Sequence, residues 1–276
     1  MTDKTLSAFR RVGLKRKREL VVSKRQKFVI SVALLTFGLF FFERRLDSSA
    51  IMFSIALAFL TDAFLLISNY KEIKENFFPH LFILPFFYSL SFALFYFLVP
   101  ARLLTRVSIT FLYALGLYSL FLSQNIFIVG ATRTIALLSS ARIVSFILAV
   151  ISYFFLSNVI ISLDLPLIFT SLLIFLISFS LVMHSFWIYT LDKINTFQVN
   201  IVFFISLCLS EISLILWFWP ASPIFAALFL TGFFYTIVGL LHVWIQKRLF
   251  RGVLWEYVWV AVIVFLILIL STSWKG

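Results

Sequence analysis

The sequence predicts an all-α fold: a polytopic transmembrane helical bundle of about nine spanning helices, with eight as the lower count. Three observations carry this. Hydrophobic residues make up 63% of the 276 residues and charged residues 12%, whereas soluble domains run near half apolar and a quarter charged. Apolar runs of about twenty residues, the length that crosses a bilayer, recur with short polar breaks. No segment shows the period-2 alternation of a membrane barrel, so the backbone groups must be satisfied within helices.

The chain divides into a basic tail, residues 1–27, and a single transmembrane domain, residues 28–276. The tail holds Lys4, Arg10, Arg11, Lys15, Arg16, Lys17, Arg18, Lys24, Arg25 and Lys27 against Asp3 and Glu19. It therefore carries most of the net charge of +12. A tail of this kind sets topology and contacts anionic lipid, each basic group contributing roughly 1 kcal/mol near such a surface. Nucleic acid is not an expected partner, because Phe9 is the tail's one aromatic residue and no binding fold accompanies it.

The first span is read at Phe28–Phe42. It is short, and Glu43-Arg44-Arg45 rather than a small-residue cleavage site follows it, so it reads as an uncleaved signal anchor. The second, Ala50–Asn69, places Ser54, Ala58, Thr61, Asp62, Ser68 and Asn69 on one stripe at 100° per residue. Small and hydroxyl residues are what membrane helices use to pack, so this stripe should face the bundle. The third span is Phe77–Val99, interrupted by Pro85. The fourth, Val107–Leu122, is again short.

Ser123–Arg142 then breaks the apolar pattern with Arg133, Arg142, an asparagine and several hydroxyl residues. If the fifth span is Ile143–Ile161, both arginines lie at the cytoplasmic interface. If it begins near Thr134, Arg142 enters the membrane by roughly 12 Å and needs an acid, Asp62 or Glu211 being the candidates. Ala141, Ser145 and Ala149 form a small-residue row, with Ser152 beside it. The sixth span, Leu167–Leu191, repeats Ser171, Ser178 and Ser185. The seventh, Ile201–Trp219, holds Glu211 near its middle and the lone Cys208, read as a small packing residue. The eighth, Ile224–Trp244, pairs Gly232 with Gly239, and the ninth is Val253–Ser273.

Basic residues near helix ends orient the bundle. With the N-terminus in the cytoplasm, the tail, Lys71, Lys74, Arg133, Arg142, Lys193, Lys247, Arg248 and Arg251 fall inside. Arg44, Arg45, Arg102, Arg106 and Lys275 fall outside. The expected location is the plasma (inner) membrane of a prokaryote, with the C-terminus outside. Tryptophans and tyrosines near helix ends fit an interfacial belt.

An ionisable group at the centre of a span costs roughly 2.5–3.5 kcal/mol on insertion scales. Asp62 and Glu211 are therefore the leading intramembrane polar candidates. His184 joins them, since histidine titrates near neutrality. His80 and His242 lie at helix ends, and Glu256 is interfacial. The phosphate loop and the H-E-x-x-H and G-x-S-x-G patterns are absent. No catalytic set, cofactor or metal is expected. The function these residues suggest first is a small permease or carrier-like protein, with a polar centre at Asp62 and Glu211 and with Arg133 and Arg142 at its cytoplasmic mouth. A non-catalytic membrane scaffold or assembly factor is the alternative, and an intramembrane enzyme acting on a lipid ranks last.

Overall fold

The computed structural model describes residues 23–42, 50–75, 78–99, 102–131, 136–191 and 194–272. Arg133 and most of the basic tail lie outside the described residues. Among the described residues, ten α-helices form an all-α bundle: α1 Lys24–Phe42, α2 Ala50–Ser68, the short α3 Tyr70–Glu75, α4 Ile83–Leu98, α5 Leu103–Gly130, α6 Leu138–Ser162, α7 Leu167–Thr190, α8 Thr196–Trp217, α9 Pro223–Ile245 and α10 Arg251–Ser271. A 3-10 turn, Pro79–Leu81, leads into α4. Among the described residues there is no strand.

Eight of these helices are long and apolar enough to cross a membrane, α4 being counted with its 3-10 turn. The expected first span, α1, is not among them. It opens on Lys24, Arg25 and Lys27, and its apolar part from Phe28 is about 22 Å long at 1.5 Å per residue, short of a hydrocarbon core of about 30 Å. It still packs as a bundle helix. Phe28, Val32, Leu35 and Leu39 are buried against α5 and α2, while Val29, Leu34, Phe37 and Phe41 face outward.

Two boundaries differ from expectation for one physical reason. α5 runs on to Gly130 instead of stopping at Leu122, and α8 begins at Thr196 instead of Ile201. Polar residues lower the local hydropathy without ending a helix, provided neighbours or capping groups receive them. Ser123, buried inside α5, donates to the Ser119 carbonyl at 2.9 Å, and the Gln198 side chain accepts the Asn195 backbone N–H at the start of α8. The polar stretch Ser123–Arg142 is therefore mostly helix. α6 starts at Leu138, between the two positions the sequence allowed. Pro85, expected to interrupt a span, sits in the first turn of α4, where its missing N–H has no intrahelical partner to lose.

Polar contacts across neighbouring helices show that successive long helices run antiparallel. Thr61 of α2 meets Ser89 of α4 at 2.7 Å, and Ser89 meets Tyr113 of α5 at 3.0 Å. Tyr153 of α6 meets Ser178 of α7 at 3.0 Å, and Ser171 of α7 meets Ser210 of α8 at 2.8 Å. In α9 and α10, Gly239 faces Tyr257 and Gly232 faces Val264. The starts of α1, α4, α6, α8 and α10 thus share one end of the bundle, here the first end. α6 is central, packing against α4, α5, α7 and α9.

The small-residue stripes are the seams. Ser54, Ala58, Thr61 and Ser68 of α2 are buried, with Asn69 just beyond its end, as are Ala141, Ser145, Ala149 and Ser152 of α6. Interhelical hydrogen bonds in membranes average roughly 0.6 kcal/mol, with a maximum near 1.7. Replacing Tyr113 with Phe, which deletes one end of the Thr61–Ser89–Tyr113 chain, should lower stability by about that much in reversible unfolding from mixed micelles.

Candidate functional site

Buried polar side chains gather at the first end of the bundle, where α6 begins and α7 and α9 finish. His184, fully buried in α7, is held on both ring nitrogens. Its Nδ1 donates to the His80 carbonyl at 2.8 Å; a carbonyl only accepts, so that nitrogen carries the proton. Its Nε2 lies 3.3 Å from Ser145 Oγ of α6 and accepts the hydroxyl in the neutral imidazole. One histidine thereby ties the 3-10 turn, α6 and α7 together. Trp187 packs against its ring and stacks on His80.

Arg142, on the second turn of α6, reaches the same region. Its Nε donates to the Ile188 carbonyl at 3.0 Å and its Nη2 to the Tyr189 carbonyl at 3.2 Å. These carbonyls belong to the last turn of α7, where a helix has acceptors without intrahelical donors and its dipole is negative. The guanidinium also lies 4.7 Å from the centre of the Tyr189 ring, within cation–π range. Among the described residues, no ion pair joins Arg142 to Asp62 or Glu211; the polar end of a helix takes the place of the expected acid. The ion pair that does form among the described residues, Lys24 with Glu72, ties α1 to α3.

His242 of α9 completes the group. It is buried, stacks on Tyr189 at 4.3 Å, meets Phe146 of α6 edge to face and hydrogen-bonds the Ser185 backbone. Its Nε2 and the Ser185 hydroxyl find no protein partner. Reading His242 as a helix-end residue missed this role. The available signal was positional: His184 and His242 each lie close to the first-end terminus of a helix. Gln124 of α5, with both amide atoms buried and not paired with protein groups, lies two turns from that end.

The two acids stand elsewhere and apart. Asp62 is half-buried in α2, and its Oδ1 is buried with no protein hydrogen-bond partner. It lies six residues, about 9 Å, before the end of α2, towards the first end. Glu211 lies six residues before the end of α8, towards the opposite end, because α2 and α8 run in opposite directions. α2 packs on α1 and α4, whereas α8 packs on α7 and α9. The two carboxylates therefore share neither a depth nor a neighbour. Glu211 is also exposed on the outward face of α8, next to Ser210, which faces α7. Cys208, expected to pack inside, is exposed on that same outward face.

The chemistry of the first-end cluster is mainly cohesive: most of its donors are spent on backbone carbonyls of neighbouring helices. Among the described residues, no three His, Cys, Asp or Glu side chains converge as metal ligands would. No curated protein and no solved structure matches the chain. One family model does, over residues 26–271, which takes in every helix of the bundle apart from the first two residues of α1. The chain belongs to that family, described as protein of unknown function (DUF5656).

Proposed function

We propose that this protein is a membrane-embedded assembly factor, which docks a partner's transmembrane segment on the outward face of α8. The observation that carries the reading is Glu211. It is exposed about 9 Å inside a helix end, farther than a glutamate side chain spans, and among the described residues no cation pairs with it. Phe204, Cys208, Glu211, Ile215 and Phe218 recur at spacings of four and three, and all are exposed. This is the seam pattern a second helix packs against. An acid on that seam costs up to about 2.5–3.5 kcal/mol against lipid, and a Lys or Arg on the partner helix offsets the cost. The N-terminus-inside orientation accompanies this reading: the first end then faces the cytoplasm, and the basic tail lies on anionic lipid.

The test uses Cys208, one turn from Glu211 and the chain's single cysteine. A short bifunctional maleimide in intact membranes should cross-link it to a cysteine introduced on the partner's membrane helix. Glu211→Gln should reduce that cross-link about tenfold, a loss of 1.4 kcal/mol. Glu211→Lys should abolish it, and exchanging the partner's basic residue for Glu should restore it. Cross-linking that ignores all three changes would sink the reading.

A second reading, the small carrier, draws on Asp62, whose buried Oδ1 has no protein partner. It expects Asp62→Asn to abolish a proton- or cation-coupled flux in proteoliposomes. The assembly reading expects that variant to leave partner cross-linking unchanged.

A further inference from the structure

At the first end of the bundle, the ends of α7 and α9 and the start of α8 border a pocket of about 340 Å³. Its wall runs from Phe186, about 6 Å inside the end of α7, to Lys247, two residues beyond the end of α9. Phe186, Phe197, Trp244 and Ile245 make it largely apolar. Two of its polar groups are already engaged within the protein. Thr190 Oγ1 donates to the Trp187 carbonyl at 3.2 Å, and Gln198 Oε1 accepts the Asn195 backbone N–H at 2.9 Å. The Lys247 ammonium is not: among the described residues no ion pair or hydrogen bond holds it. None of the described lining residues is acidic.

Lys247 has a left-handed backbone, with φ of 55°. Its N–H donates to the Trp244 carbonyl at 2.9 Å, and the Arg248 N–H donates to the Val243 carbonyl at 3.0 Å. These are the two bonds of a Schellman turn, whose left-handed position is usually glycine. Lysine is not among the residues that take this conformation readily; asparagine and aspartate are the usual substitutes. Leu191 takes it after α7, with φ of 53°, and packs its side chain on the core. Lys247 is exposed and makes no such packing. A cation near a helix C-terminus complements the dipole and follows topology, but the exposed Arg248 one residue on already meets that need. Neither effect explains a lysine at the one position of the turn that favours glycine, on the wall of a pocket. A cation at the membrane surface, with an apolar cleft running inward from it, matches an anionic phospholipid: phosphate outside, acyl chain inside. Basic pockets between spanning helices take such headgroups.

We propose that the pocket bordered by Phe186, Phe197, Ile245 and Lys247 holds one anionic phospholipid, with its phosphate against the Lys247 ammonium and the start of an acyl chain along the phenylalanines. The pocket lies at the start of α8, and Glu211 lies near its other end, so this proposal and the assembly reading can fail separately.

The full-length protein, purified in a neutral detergent and freed of lipid, is titrated with phosphatidylglycerol and with phosphatidylcholine of the same acyl chains, and bound lipids are counted by native mass spectrometry. One phosphatidylglycerol should bind about fivefold tighter than phosphatidylcholine, the size of one basic contact at an anionic surface. Lys247→Gln should abolish that preference, and Lys247→Arg should keep it. Phe197→Ser should weaken both lipids alike. A tail variant with Lys15, Arg16, Lys17 and Arg18 all replaced by Gln should lose weaker, additional binding and retain the first lipid. Lys247→Gly separates binding from a structural role: it should lose the preference yet raise the unfolding midpoint in lipid-free detergent, because glycine relieves the left-handed backbone. The proposal is overturned by equal binding of the two lipids, by a preference that survives Lys247→Gln, or by one that the tail variant alone removes. A lower midpoint for Lys247→Gly would also overturn it, by giving the lysine a structural role instead.

Discussion

Replacing Arg142 with alanine should lower the stability of the bundle by about 2–4 kcal/mol, among the largest effects of any single polar substitution. Hydrogen bonds to charged groups are worth about 1.5–3 kcal/mol each. The side chain makes two of them, to the Ile188 and Tyr189 carbonyls, and adds a cation–π contact with the Tyr189 ring. These terms overlap, so the sum is an upper bound. The loss leaves the final carbonyls of α7 without a donor, next to the buried His184 and His242. Arg142→Lys should recover only part of it, since an ammonium keeps the charge but not the planar fork that reaches two acceptors at once. The partner identity gives a sharper test. Combined with Asp62→Ala or Glu211→Ala, the Arg142 effect should add within about 0.5 kcal/mol, as expected of sites that do not touch. Combined with Tyr189→Leu, it should fall short of additivity by about 1 kcal/mol. Reversible unfolding in mixed micelles measures these variants, together with the Asp62→Ala, Glu211→Ala and Tyr189→Leu single substitutions that complete each cycle. Strong coupling to either acid, with none to Tyr189, would contradict the geometry.

The fold class was legible because hydropathy sums over some twenty residues, and eight helices keep that sum high. The packing seams were legible too, since small and hydroxyl residues have few other reasons to recur at helical spacing between lipid-like neighbours. What stayed hidden had physical causes. A membrane helix is apolar on both its lipid face and its packed face, so nothing near Glu211 revealed that it points outward. Arg142 invited an acid as partner, but it binds backbone carbonyls, which carry no residue label. Ser123 and Gln124 looked like loop because hydropathy scores a polar side chain the same whether it ends a helix or is buried against a neighbour. Asp164 lies in a four-residue connection, and only the fold brings it into one pocket wall with Trp217 and Trp219.

Enlarging Gly232 and Gly239 should detach α10 while leaving the remaining helices associated. The two glycines are seven residues apart, and so are Val264 and Tyr257, which occupy the space in front of them. A Cβ on Gly232 would lie 2.8 Å from both Val264 methyl carbons, and one on Gly239 would run into the Tyr257 ring. The outer face of α10 is almost wholly exposed, and α9 is its one extensive neighbour among the described residues. Overpacking costs about 1–3 kcal/mol per site, and here nearly all of it falls on a single helix pair. α10 is apolar enough to remain in the bilayer by itself, so the Gly232→Val, Gly239→Val double variant should stay membrane-inserted. Two observations should then appear together. Protease should cut the connection between α9 and α10 at least tenfold faster than in the parent, and a disulfide engineered across the α9–α10 seam should fail to form. Removing the obstacle supplies the control: Tyr257→Ala should offset much of the Gly239→Ala penalty, so that the pair costs less than the sum of its members. If instead the glycine variants unfold the whole bundle with unchanged local cleavage, α10 is a structural part of the core, and the seam of glycines does more than hold one peripheral helix in place.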